Sequence, residues 1–103
     1  VSRAKTTAQW RRDDPVFAAM SDDVVRLRNN WPGTHSVAHR DETTGAVTFH
    51  LHVREHDLGK LRQMLGNIPV NPMRDARSGL TTYHFRGRRP DMDRLLSRLG
   101  ATR

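Results

Sequence analysis

His50 and His52 flank Leu51, Arg54 follows two residues later, and His84 with Arg86 repeats the interval further along the chain. In an extended strand, residues two apart share a face, so each run lines up imidazoles and guanidiniums on one surface. Several chemistries suit such a surface. Guanidiniums contact phosphates and stack on bases, and a neutral imidazole donates one hydrogen bond and accepts another, which equips the face for nucleic-acid binding. His50-x-His52 also has metal-ligand spacing that His35 or His84 could complete, although no carboxylate joins the set. Histidine as general acid or base, with arginine on the phosphate, would make a metal-independent ribonuclease. The plain alternative is a solvated strand face on which His and Thr are tolerated.

A second constellation is cationic. Arg74 and Arg77 lie in a proline-broken segment, Arg86, Arg88 and Arg89 surround a turn, and Arg94 and Arg98 stand four apart in a helical stretch. The three guanidiniums of Arg86-x-Arg88-Arg89 repel one another unless an anion sits among them, whereas Asp91 and Asp93 relieve Arg94. The candidate phosphate contacts are therefore Arg54, Arg74, Arg77, Arg86, Arg88, Arg89, Arg94 and Arg98, with His84 beside them. Affinity at such a patch falls steeply as salt rises.

Charge placement supports this reading. Residues 1–51 hold 7 Lys+Arg against 6 Asp+Glu, a balance of +1, and residues 52–103 hold 11 against 5, a balance of +6, out of a formal +7. A localised positive field attracts polyanions. Sixteen of the 18 basic residues are arginine, which codon usage in a GC-rich genome explains without selection for guanidinium. Codon usage does not explain their clustering.

Other classes are disfavoured. There are no cysteines, so disulfides and thiolate metal sites are excluded. No Gly-rich phosphate loop, His-Glu-x-x-His helix or Ser or Cys nucleophile motif occurs, so binding without catalysis and without a cofactor is expected. No run approaches the roughly 18 apolar residues of a membrane span, and the N-terminus lacks the order of a secretory signal. The expectation is a soluble cytoplasmic protein with no membrane partner.

The elements that must position these residues follow from periodicity. At 103 residues, with 35% apolar content and mean hydropathy of -0.78, the chain supports one modest core. Residues 1–10 read as a flexible basic tail and residues 11–103 as a single α+β domain. Residues 11–30 are predicted helical, with Asp13 or Asp14 capping, Pro15 in the first turn, and Met20, Val24 and Leu27 on the apolar stripe. Ser21, Asp22 and Asp23 offer a second cap that could divide this helix. Residues 35–40 and 46–54 form a hairpin around Asp41 to Gly45, with Arg40 beside Val47. In the second run Val47, Phe49, Leu51 and Val53 alternate with Thr48, His50, His52 and Arg54. The same pairing turns His35 and His39 to the wet face, whereas a one-residue slip would reverse them.

Asp57 caps a short helix through Leu65, and Gly66 ends it. Residues 67–79 lose all period, and Pro69 and Pro72 forbid regular pairing, so a loop is expected there. Residues 80–86 make a third strand that Gly87 breaks, and a last helix carries Met92, Leu95, Leu96 and Leu99 up to Gly100. The expected fold is thus a two-layer α+β sandwich in the order α-β-β-α-β-α, with helices on one face of a small, mainly antiparallel three-stranded sheet. This order comes near some RNA-binding folds, but the Gly-x-x-Gly clamp of KH domains and the aromatic strand motif of RRMs are absent.

The leading reading is a small basic nucleic-acid-binding protein, of RNA or DNA, that contacts phosphates through its C-terminal arginines. One alternative is an interaction module of phage or mobile-element type that docks on a host protein through Trp10, Trp31 and residues 67–73, since Trp and Arg anchor many interfaces. The ribonuclease is the other.

Overall fold

Asp14 divides the first helical stretch of the computed structural model, which describes residues 6–101. Its backbone leaves helical geometry (φ -141°, ψ 72°), closing α1 (Thr7–Asp13) and opening α2 (Pro15–Asn30). The Asp14 carboxylate accepts the Phe17 N–H at 3.1 Å, satisfying one of the orphan donors of α2. Pro15 follows, with no N–H to lose. The single helix expected over residues 11–30 is therefore two, and α2 runs through Ser21, Asp22 and Asp23 without a break. Part of the segment expected to be a tail, residues 1–10, is helical. Thr7 to Trp10 begin α1 behind a capping box in which Gln9 N–H donates to Thr6 Oγ1 and Thr6 N–H to Gln9 Oε1. Residues 1–5 of that tail lie outside the described residues.

The fold is mixed α+β, with four strands where three are expected. β1 (His35–Arg40), β2 (Val47–Arg54), β3 (Asn71–Arg74) and β4 (Thr81–Gly87) form one antiparallel sheet in the order β1-β2-β4-β3. A 3₁₀ turn (Glu55–Asp57) and α3 (Leu58–Leu65) carry the chain from β2 to the far edge, and α4 (Arg89–Arg98) follows β4. The observed order is α-α-β-β-α-β-β-α. The additional strand lies in the segment expected to be a loop, and Pro72 pairs with Tyr83 inside it. Pro72 is tolerated because β3 is an edge strand, where one side of the backbone has no ladder to serve.

The first hairpin has the register that its alternation dictates, with Arg40 opposite Val47 and His35 opposite His52. Phe49, Leu51, Val53 and Phe85 point to one side and meet Met20, Val24, Leu27, Leu61, Met92, Leu95 and Leu96 from the helices. α2 packs mainly on β1, α4 on β2 and β4, and α3 on α4. β1 contributes small inward residues, Ser36 and Ala38, and the Ser36 hydroxyl donates to the Val24 carbonyl at 3.5 Å. Gly87, expected to break the strand, is instead the last residue of β4. It faces the core, where an added Cβ would lie 2.5 Å from the Phe49 ring. Among the described residues no helix is long and apolar enough to cross a membrane.

Candidate nucleic-acid interface

Among the described residues no helix packs on the other side of the sheet, and its composition follows from alternation. β2 presents Thr48, His50, His52 and Arg54; β1 adds His35, Val37 and His39; β4 adds Thr82, His84 and Arg86. Five of the six histidines of the chain thus share one face. Their rings form a continuous series. His39 meets His50 edge-on at 5.3 Å, and His84 stacks on both His50 and His52 at 4.8 Å between centroids. His52 in turn lies 6.0 Å from His35. The register explains the stack, because His84 lies directly opposite His52 and diagonally from His50.

His50 Nδ1 and His84 Nε2 stand 2.7 Å apart, so one donates to the other and at least one of the two rings is neutral. Burial, then the neighbouring His84, lowers the pKa of His50 below the ordinary 6.5, with His39, Arg86 and His52 adding to the effect. Burial, then His84 and His35, lowers that of His52. Both shifts favour the neutral ring; in His50, however, Nδ1 is taken by His84 and Nε2 is buried without a partner. His50 and His52 share a face, as the ligand-pair reading requires. Yet His50 Nδ1 is engaged with His84, and among the described residues no group of three or more His, Asp or Glu is arranged to hold a metal ion.

The arginines separate into groups. Arg54 is exposed at one end of the histidine series, at the level of Thr82, and Arg86 is exposed opposite His50, one level short of His39. Arg88 is exposed in the turn to α4, where its backbone N–H donates to Asp91 at 3.0 Å. Arg74 on β3 and Arg77 in the following loop are exposed at the far edge of the sheet. Arg94 and Arg98 are exposed on α4, opposite its buried Met92, Leu95 and Leu96, and so belong to the helical layer. Arg89 has a structural partner, since its guanidinium pairs with the fully buried Asp23 and, at 3.1 Å, with Asp93. The structure therefore brings Arg54, His84 and Arg86 onto one surface and leaves Arg94 and Arg98 on another. No family model, curated protein or solved structure matches the chain.

Of the apolar groups expected to meet a protein partner, Trp31 is buried at the end of α2, with Lys60 Nζ 5.1 Å from its ring centroid, and is inaccessible. Trp10 is 46% exposed and leans on Phe17 at 5.5 Å. Met73 is half exposed on β3, while Ile68 and Val70 pack against the core.

Three residues of this region are not singled out by sequence alone. Asp41, Thr44 and Thr48 line a pocket with Ala46, Arg86 and Arg88 at the end of the open face. Thr48 belongs by its alternation to the wet face, yet it is only 3% exposed. A sequence signal for the second hairpin does exist. Asp75-Ala-Arg-Ser-Gly79 repeats the pattern of Asp41-Glu-Thr-Thr-Gly45, and the two loops close alike. Gly45 N–H donates to Asp41 O at 2.7 Å and Gly79 N–H to Asp75 O at 2.8 Å, with φ of +75° and +72° at the glycines.

Proposed function

We propose that this protein binds single-stranded nucleic acid across the open face of its sheet, as a small RNA- or DNA-binding protein without catalytic activity. The observation that carries the reading is the series of five imidazoles that shares one sheet face with Arg54 and Arg86. Base edges of an unpaired strand need donors and acceptors, which neutral imidazole edges supply, and the guanidiniums take phosphates and stack on exposed bases. A duplex hides those edges, so single strands are preferred. Arg77 and Arg88 extend the positive rim along which the backbone runs, whereas Arg74, opposite Thr81, lies on the side of Tyr83 and Phe85. Arg94 and Arg98 act only on a strand long enough to turn onto the helical side. Arg89 holds Asp23 and contributes field more than contact.

The test is binding of single- and double-stranded DNA and RNA side by side over a salt series. The expected result is tighter binding to single strands, weakening steeply with salt, and reduced in the Arg54→Ala/Arg86→Ala variant. Absence of binding at low salt, with a host protein co-purifying, would replace the reading with the interaction module. Loss of RNA integrity that His84→Ala or His50→Ala abolishes would replace it with the ribonuclease.

A further inference from the structure

We infer that the pocket between the β1–β2 loop and the β4–α4 turn holds one phosphate group. The pocket encloses about 360 Å³, near the small end of the roughly 300–1,000 Å³ typical of ligand sites. One wall is the hairpin loop, which its own hydrogen bonds hold in shape. Asp41 Oδ1 accepts the Thr43 and Thr44 N–H groups at 2.8 and 3.0 Å, and Thr44 Oγ1 accepts the Ala46 N–H at 3.2 Å. The facing wall is set by Gly87. With that residue pressed inward on Phe49, strand alternation directs Arg86 and Arg88 outward together, and both line the pocket.

Two observations point to an anionic occupant. Thr48 lines the pocket almost wholly buried, and its Oγ1 has no hydrogen-bond partner. A buried hydroxyl without a partner is a cost that native structures seldom leave standing, and a ligand oxygen removes it. Second, among the described residues neither Arg86 nor Arg88 has an acidic partner within 4.0 Å. Asp41 is the acidic residue of the lining, and Arg86 contributes to keeping its carboxyl ionised. Two guanidiniums against one carboxylate leave a net positive pocket, and a phosphate group has oxygens enough for both guanidiniums and the Thr48 hydroxyl. Arg88 also stands at the N-terminal end of α4, where the helix dipole favours negative charge.

The same chemistry would accept free phosphate, a terminal phosphomonoester or a backbone phosphodiester. That the phosphate belongs to a nucleic acid rests on the function proposed above; the pocket itself does not. The experiment is an NMR titration of the full chain with inorganic phosphate at low ionic strength, followed by 5′-phosphorylated and 5′-hydroxyl oligonucleotides of one sequence. Saturable shifts at Thr44, Thr48 and Arg88 are expected. Arg88→Ala weakens phosphate about tenfold, as loss of one charge-assisted hydrogen bond does, and Asp41→Asn strengthens it. Thr48→Val is the decisive variant. It removes only an unpartnered hydroxyl, so the protein keeps or gains thermal stability while phosphate binds about tenfold more weakly.

Phosphate binding unchanged in Thr48→Val, or shifts without saturation at exposed arginines such as Arg94 and Arg98, overturns the inference. Saturation by phosphate with no oligonucleotide binding leaves the pocket standing and removes the nucleic-acid reading. Oligonucleotide binding that spares Thr44, Thr48 and Arg88 does the reverse. Tighter binding of the 5′-phosphorylated chain identifies a terminal phosphate as the occupant, and equal binding through the pocket identifies a backbone one.

Discussion

Asp23 of α2, wholly buried, accepts a hydrogen bond from the Arg89 guanidinium of α4, 66 residues further along the chain. Arg26, one turn away on α2, holds the other oxygen of the same carboxylate at 2.6 Å. Two cations thus compensate one buried anion and join the two helices that cover most of the sheet. The adjacent Arg88 has no such partner among the described residues, so two neighbouring arginines perform different tasks.

Removing Arg89 therefore tests folding. Arg89→Ala takes one of its cations from Asp23 and is expected to cost about 2 kcal/mol, the scale of a lost charge-assisted hydrogen bond to a buried group. Urea unfolding measures it. Oligonucleotide affinity under native conditions changes little, whereas Arg88→Ala alters affinity with unfolding unchanged.

The histidine face makes stability depend on pH. Because the pKa values of His50 and His52 lie below 6.5 when folded, the unfolded chain binds protons first as pH falls. Their contribution is complete above about pH 6.5 and declines as pH drops from there through the folded pKa values. Melting temperature should thus be level above neutrality and fall below pH 6.5, and His50→Gln/His52→Gln flattens that fall. A second decline at lower pH comes from Asp41 and Asp75. Backbone N–H groups are the main force holding both carboxyls below the usual 3.8, so their contribution is lost as pH falls through their folded values.

Nucleic-acid affinity should move the opposite way. Each of His50 and His52 that gains a proton, as pH falls through its lowered folded pKa, adds a cation to the open face, so binding strengthens over the range in which stability weakens. Fluorescence anisotropy across that range measures it. Affinity independent of pH would remove the histidines from the interface.

Salt dependence counts the phosphates that the protein neutralises. The slope of log Kobs against log salt for a single strand should become less negative by about 0.7 for each phosphate no longer neutralised. Arg54→Ala and Arg86→Ala should each show this with a short oligonucleotide. Arg94→Ala and Arg98→Ala should not, because they lie on the helical layer.

Gly87 has no room for a side chain. Gly87→Ala places a methyl group against the rings of Phe49 and Phe85 and is expected to destabilise by about 1–3 kcal/mol, the range for overpacking a core. Thermal unfolding measures the loss. Gly59→Ala, where the added atom meets nothing within 4 Å, is the matched control.

Local chemistry is legible in the chain. The alternation from Val47 to Arg54 and from Thr81 to Arg86 assigns every side chain on β2 and β4 to a face, because period two is a property of the extended backbone itself. The glycine of Asp41 to Gly45 sets the first turn, and with it the register that places His35 and His39 beside His52 and His50. The helix stripes and the stops at Gly66 and Gly100 are equally local. β3 is signalled only by the turn that follows it, Asp75 to Gly79, because a four-residue strand containing Pro72 has little strand character of its own and exists through its pairing with β4.

By itself, then, the sequence determined the open face and its inventory of imidazoles and guanidiniums, since alternation and turn chemistry act over a few residues. Tertiary structure alone decided which of these groups meet. His50 finds His84 across 34 residues, and Arg89 is drawn to Asp23. Gly87 yields its space to Phe49, and Thr48 closes the floor of a pocket with Arg86 and Arg88. Each of these depends on how strands pair and helices dock, which burial of the whole apolar core selects and no short window of sequence contains.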